Sequence, residues 1–368
     1  MRLDQPENIW IFGIELSEGV LDIVFLVLYA CLSKHKGQER RLDMANKSSA
    51  LEREHAYREA FLARLNQRLA APTSEWPTVR CWTEPALNKI FKRVRDELAA
   101  EGVVSAVSHS SLLKWLCRLH LASPLPVESE SIYLLEIGAS AEAEVEPLEL
   151  LMAGNPSGVV CYFSAVAFHA LTTQLVEHHH VAELRSQPPP PQSGRPEDDI
   201  AERPERQPGA GSRRPRGIGK LLFRFQGIPF YSTRRSPRLV PGVQTRGHGP
   251  RTQVRITTLE QTLLDTLYKP FHCGGPEVVF EAWQEGVASR RINEERLLEY
   301  LRAMNYPATV RRLGVMLQLA GGVPGAELRR HLEACQQAID RQSPHAHISL
   351  LPGVDYQNLN DLWLVNTP

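Results

Sequence analysis

Between Arg255 and Gly321, proline and glycine cut the chain into four short apolar segments, and this punctuation constrains the fold more than any other feature. Thr257 or Thr258 suits an N-cap, because a hydroxyl accepts from the free amides of a first helical turn, and Glu260 and Gln261 lie where a capping-box partner reaches back. Leu259, Leu263, Leu264 and Leu267 then recur at helical spacing until Pro270, Gly274 and Gly275 end the pattern. Val278, Val279, Ala282 and Trp283 predict a second helix stopping at Gly286, and Ile292, Leu297, Leu298 and Leu301 a third ending before Pro307. Val310, Leu313, Leu317 and Leu319 predict a fourth, closed by Gly321 and Gly322. Helices this short are unstable alone, so the four must share a core.

Upstream, Lys220–Phe225 and Ile228–Ser232 alternate like strands around a turn at Gln226 and Gly227, and Arg251–Ile256 alternates again. Strands followed by helices predict an α+β domain that ends in a helical bundle. A further helix is expected over Gly325–Ile339. Ser343–Pro368 reads as loop, with an apolar tail at Leu362–Val365 placed to cover an open edge or groove. Val145–Met152 and Val159–Leu171 read as two more helices.

The N-terminal half has a different rhythm. Tyr57, Phe61, Leu62, Leu65 and Leu69 predict a helix ending before Pro72. Thr83 caps a second, with Pro85 early in it and Leu87, Ile90, Phe91, Val94 and Leu98 on its apolar stripe. Ser108, Ser110 or Ser111 caps a third, carrying Leu112, Leu113, Leu116 and Leu119, and Ile132–Ile137 reads as a strand. Three helices and then a hairpin is the order of a winged helix-turn-helix, whose third helix enters the major groove of double-stranded DNA. The candidate DNA contacts are Ser110, Ser111, Lys114 and Arg118 on the third helix and Lys89, Lys92 and Arg93 on the second. Glu128 and Glu130 fall where a wing approaches phosphate and would repel it. A unit serving only packing or dimerisation is the other reading of these helices.

Formal net charge is zero, which argues against a uniformly basic nucleic-acid binder, but the charge is segregated. Arg203–Arg255 holds thirteen Lys or Arg against one acid, Glu205, whereas Leu119–Leu184 holds nine Glu and no Lys or Arg. Residues 185–217, with four consecutive prolines at Pro188–Pro191, bury too little apolar surface to fold and read as a disordered Pro/Arg-rich linker. Arg213, Arg214 and Arg216 in it, with Arg234, Arg235, Arg238, Arg251 and Arg255 beyond it, form a candidate basic patch for phosphate or for an acidic protein surface. Solvation, and neutralisation of the acidic part of the same chain, is the plain alternative. The expected organisation is an apolar leader over 1–43, a winged helix-turn-helix-like domain over 44–140, and a C-terminal α+β domain over 141–368 that contains the linker. Val20–Leu32 is shorter than the roughly 20 residues that span a bilayer, is interrupted by Asp22, and follows acids rather than the basic start of a signal peptide. The reading therefore favours Met44 as the native start, since Gly37–Arg41 can be encoded by purine-rich codons resembling a ribosome-binding site, and expects no membrane partner.

Six scattered cysteines without a CxxC pair fit free thiols in a reducing cytoplasm. His169 lies among Ala167, Phe168, Ala170 and Leu171, as a buried hydrogen-bonded histidine would. His178, His179 and His180 alternate faces if they lie in a strand, cannot converge on one ion, and are expected as strand or surface residues. No Walker loop, GxSxG elbow, HExxH, paired Asp motif or dinucleotide fingerprint is present, so no catalytic residue, metal or cofactor is expected. Glu260, Asp265, Glu277 and Glu281 are the carboxylates a degraded nuclease or nucleotidyltransferase would use, although their helical spacing more often marks a solvated face.

Ile256–Asp265 (ITTLEQTLLD), the helix around Glu281–Trp283, Arg311–Leu317 (RRLGVML) and Tyr162–Gln174 (YFSAVAFHALTTQ) resemble the AbiEi family, the antitoxin and transcriptional-regulator half of a bacterial abortive-infection toxin–antitoxin pair. The resemblance covers about half of the chain, and its motifs are packing and capping signatures rather than catalytic ones. It implies an N-terminal winged helix, a cytoplasmic repressor that binds repeats at its own promoter, and a C-terminal domain that counters a cognate nucleotidyltransferase-like toxin. A defence or mobile-element protein with a degraded catalytic domain, and a protein-interaction module without DNA binding, remain alternatives.

Overall fold

The computed structural model describes residues 50–70, 80–136, 145–185, 218–248, 252–343 and 346–368. The expected leader, most of the linker, and Arg213, Arg214, Arg216 and Arg251 lie outside them. The chain divides into two compact units, the first holding residues 50–65 and 94–108 and the second 66–93 and 109–368. Helix α1 (residues 50–70) and helix α2 (Glu84–Ala100) each run through both.

In the first unit Tyr57, Phe61, Leu65, Val94 and Leu98 are buried. Arg64 donates to Glu97 at 3.2 Å and to Glu101 at 2.7 Å, and the Arg95 guanidinium donates to the Ser105 carbonyl at 3.2 Å.

The second unit is α+β, as expected. It opens with β1 (Cys81–Thr83), the start of α2, α3 (His109–Arg118), β2 (Ala122–Pro124), β3 (Val127–Glu128) and β4 (Ile132–Leu135). A small antiparallel sheet orders these strands β1-β4-β2. α4 (Pro147–Gly154), β5 (Val159–Val160), α5 (Phe163–Phe168), β6 (His179–Leu184), β7 (Lys220–Phe225), β8 (Ile228–Arg235), β9 (Val243–His248) and β10 (Thr252–Thr257) follow. Their seven-stranded sheet runs β3-β7-β8-β6-β5-β10-β9, mixed because β6 and β8, and β5 and β10, pair in parallel. Successive strand residues face opposite sides, so Val181 of β6 joins the core under α4 while Ala182 joins the core shared with the later helices. The β7–β8 hairpin turns at Gln226 (φ 51°) and Gly227 (φ 81°), the two consecutive positive φ values that match a right-handed strand twist.

The bundle comprises α6 (Leu259–Tyr268), α7 (Pro276–Ala288), α8 (Glu294–Met304), α9 (Pro307–Leu319) and α10 (Ala326–Gln337). Nine of the ten α6 residues are buried, which makes it the helix the others surround. Thr258 is its N-cap and accepts from the Gln261 amide at 3.3 Å. Thr258→Ala is expected to lower stability by about 1 kcal/mol, read as a shifted urea midpoint at unchanged slope, and an unchanged midpoint would refute the cap. Glu260 takes no capping-box role. It is buried, and its carboxylate accepts from the Asn293 amide at 3.0 Å, tying α6 to the start of α8.

Four expectations need correction. Val159–Leu171 is a strand, a sharp turn at Tyr162 (φ 56°, ψ −133°) and a six-residue helix, because Val159 and Val160 pair with β6 rather than continuing the apolar run as helix. α7 passes through Gly286, where a Cβ would stand 3.2 Å from Leu263 and 3.4 Å from Ile292, so that glycine marks close packing and not an end. Leu119 lies past the end of α3 and is exposed, so it packs no core. The final segment is a sheet, ordered β11 (Ile348–Ser349), β13 (Val365–Thr367), β12 (Asn358–Asn360), and the carbonyls of Trp363 and Leu364 just before β13 accept from Arg311 of α9.

Candidate nucleic-acid interface

α3 separates its side chains cleanly. At about 100° per residue, Ser110, Ser111, Lys114 and Arg118 fall within one arc of about 100°, and Leu112, Leu113 and Leu116 fall opposite. The structure leaves all four exposed, with Lys114 and Arg118 inside the arc and the two serines at its edges, and buries the three leucines. Cys117 and Trp115 flank the arc, half-buried. On α2, Lys89, Lys92 and Arg93 are exposed opposite Leu87, Ile90 and Phe91. The His109 ring meets Phe91 edge-on at 6.4 Å, which fixes the start of α3 against α2. Lys89, Lys92, Lys114 and Arg118 form no ion pair among the described residues, so their charge is directed at solvent.

The hairpin after α3 departs from a free wing. β2 and β4 pair Ala122 with Leu135 and Pro124 with Tyr133, but the loop between them contributes β3, which pairs Val127 with Phe225 and Glu128 with Arg224 of β7. Glu128 therefore stands beside an arginine of its own chain. The acidic character of this loop, which disfavours phosphate, is the complement that an intramolecular partner requires.

The candidate basic patch does not form one surface. Arg235 is buried, its side chain 3% exposed, and pairs bidentately with Asp265: Nη1 to Oδ2 at 2.7 Å and Nη2 to Oδ1 at 2.6 Å. Burial disfavours the guanidinium charge, but Asp265 and its hydrogen bonds more than offset this and hold its pKa well above the ordinary value. It is a core cation and is withdrawn from the patch. Arg234 points outward, 3.8 Å from Glu183. Arg238 is exposed, and Arg255 donates to the Ser157 carbonyl at 2.7 Å.

The four carboxylates do not converge either. Asp265 and Glu260 are buried and engaged as described, so neither lies on a solvated face. Glu281 accepts from the Thr173 amide at 2.7 Å and from the hydroxyls of Thr172 and Thr173, which holds its carboxyl below the usual range, while Glu277 lies on the first turn of α7. Among the described residues no group of three His, Cys, Asp or Glu side chains is placed to hold a metal ion. The histidine run is buried rather than on the surface. His169, half-buried, places Nε2 2.8 Å from the Thr257 carbonyl, and burial lowers its pKa.

Sequence reasoning missed Arg80 and Glu149, a buried pair (Nη2 to Oε2, 2.6 Å) that joins the segment before β1 to α4. They are 69 residues apart, and no local pattern announces the pairing. No helix among the described residues is long and apolar enough to cross a membrane.

No family model matches the chain, and no curated protein matches it. Among solved structures, the crystal structure of the Rv2827c protein from Mycobacterium tuberculosis aligns with 84% of this chain and 90% of that one, at 13% identity and a TM-score of 0.44.

Proposed function

We propose that the chain is a double-stranded DNA-binding regulator, with α1–α3 and the β1-β4-β2 sheet as a winged helix-turn-helix-like module and α3 as its recognition helix. The observation that carries this reading is the outward arc of α3, where two hydroxyls and two cations share one face, with further cations on α2. Lysine and arginine bind phosphate without regard to sequence, and serines at the start of a recognition helix reach base edges or phosphate oxygens. The resemblance of Ile256–Asp265, Glu281–Trp283, Arg311–Leu317 and Tyr162–Gln174 to the AbiEi family supports a finer statement: a repressor of its own promoter and an antitoxin to a nucleotidyltransferase-like toxin encoded beside it. On this reading the chain catalyses no reaction of its own.

The test is an anisotropy titration of the protein on DNA from upstream of its own gene, against scrambled DNA, at two salt concentrations. Selective binding is expected. Lys114→Ala with Arg118→Ala should make the slope of log affinity against log salt shallower by about one for every phosphate that these two side chains neutralise. Equal affinity for both DNAs, untouched by the double substitution, would reject α3 as a recognition helix.

One observation favours a second reading. The β3 segment is built into the sheet of the same chain, so the loop that a winged helix offers to DNA is already occupied. A protein-interaction module in which α3 meets a partner protein fits that arrangement, and the titration separates the two.

A further inference from the structure

His178, His179, His180 and His272 gather at the start of β6. His180 is fully buried, its ring centroid 5.0 Å from His178, 5.5 Å from His272, and 5.4 Å from both Tyr162 and Tyr231. Neither of its ring nitrogens has a hydrogen-bond partner. His178 places Nε2 3.1 Å from the carbonyl of His272, joining β6 to the turn at Pro270–Cys273. On the opposite face His179 lies 4.8 Å from the Phe230 ring, with Nδ1 3.3 Å from the Ser164 hydroxyl.

The ionisable surroundings come from every packed element. β8 supplies Tyr231 and Arg235, the turn after β5 Cys161 and Tyr162, α6 Asp265, the 269–273 segment Lys269 and Cys273, and the residue before the run Glu177. The one buried carboxylate among them, Asp265, is engaged by Arg235 and by Gln261, whose Nε2 donates to Oδ1 at 2.9 Å. A proton arriving on His272 therefore meets the charges of Lys269 and Arg235, one arriving on His180 meets the neighbouring imidazoles, and the Asp265 carboxylate is already engaged.

We propose that this imidazole layer is an acid-operated latch: protonation of His180 and His272 releases β6 from the Pro270–Cys273 turn and opens the sheet on its α6 side.

The direction follows from linkage. Burial first, and the neighbouring histidines second, hold His180 down to about 2, and burial is the main cause that holds His272 down to about 4, against an ordinary value of 6.5. The opened state binds protons from 6.5 downward and the closed state does not, so opening is favoured as pH falls through that window and is indifferent to pH above it. Each histidine released multiplies the opening constant by about tenfold per pH unit.

Hydrogen exchange on the full chain at about pH 7 and about pH 5, corrected for intrinsic rates, tests the latch. The expected result is loss of protection across residues 179–184 by at least about tenfold per pH unit below 6.5, while residues 307–319 of α9 hold theirs. His180→Phe should flatten the β6 response. Should that variant fail to fold, His272→Phe, at a half-exposed position, replaces it. Equal pH dependence in β6 and α9, or a β6 response unchanged by removing an imidazole, overturns the proposal.

Discussion

Asp265→Ala is expected to destabilise the folded chain by about 3–5 kcal/mol, the cost of leaving a buried charge without its partner. The Asp265 side chain is fully buried and receives three donors, two from Arg235 at 2.6 and 2.7 Å and one from Gln261 at 2.9 Å. Removing it strands the Arg235 guanidinium between α6 and the Tyr162 ring, 4.8 Å from the ring centroid. The remaining acceptor, the Leu239 carbonyl at 3.3 Å, cannot neutralise it. Urea unfolding followed by circular dichroism measures the loss, and a change below about 1 kcal/mol would mean that water reaches the site. Replacing both partners with Arg235→Met and Asp265→Leu should recover most of the stability, because the net worth of a buried pair against apolar packing is small.

That pair also shows where sequence reasoning stops. Arg234 and Arg235 are neighbours in one alternating strand, so one must face out and one in, yet both read as surface cations because arginine is seldom buried. The partner that decides the matter lies 30 residues away, across a turn and another hairpin. Local signals fared better. The Thr258 cap, the Gln226-Gly227 turn and the apolar stripes of α6 to α9 each depend on residues within one or two turns, and each stands in the structure where the spacing placed it, except Leu319 at the end of α9, which is exposed. The outward face of α3 was legible for the same reason. β5 was not, because Val159–Phe168 is apolar on every face, and a short buried strand followed by a short buried helix has no periodicity to distinguish it from one helix. The parallel pairing of β6 with β8, and the capture of β3 by β7, are products of tertiary assembly with no local signature.

The apolar tail at Leu362–Val365 covers a groove, as expected of it, and the groove is specific: Trp363 lies on α9 at Gly314. A Cβ built on Gly314 would fall inside the van der Waals envelope of the indole, so glycine here is a requirement of close approach rather than of backbone conformation. Arg311, one turn earlier, holds the tail by donating Nε to the Trp363 carbonyl at 2.8 Å and Nη2 to the Leu364 carbonyl at 2.6 Å. With Trp363 only 4% exposed and part of the bundle core, Trp363→Ala is expected to cost about 3–5 kcal/mol, from the forfeited burial and the cavity it leaves. Gly314→Ala alone should cost about 1–3 kcal/mol by forcing the ring away. The two effects should not add. Once the indole is gone, an alanine at 314 meets open space in the middle of a helix, where it is favoured over glycine by up to about 1 kcal/mol. In the Trp363→Ala background, Gly314→Ala is therefore expected to be neutral or stabilising, a coupling measurable by denaturant unfolding of the four proteins in the cycle. Simple additivity would show that the tail does not rest on α9 at this point, and the C-terminal sheet would then have to be held by Arg311 and by Arg312, which donates Nε to the Ser349 carbonyl at 3.0 Å.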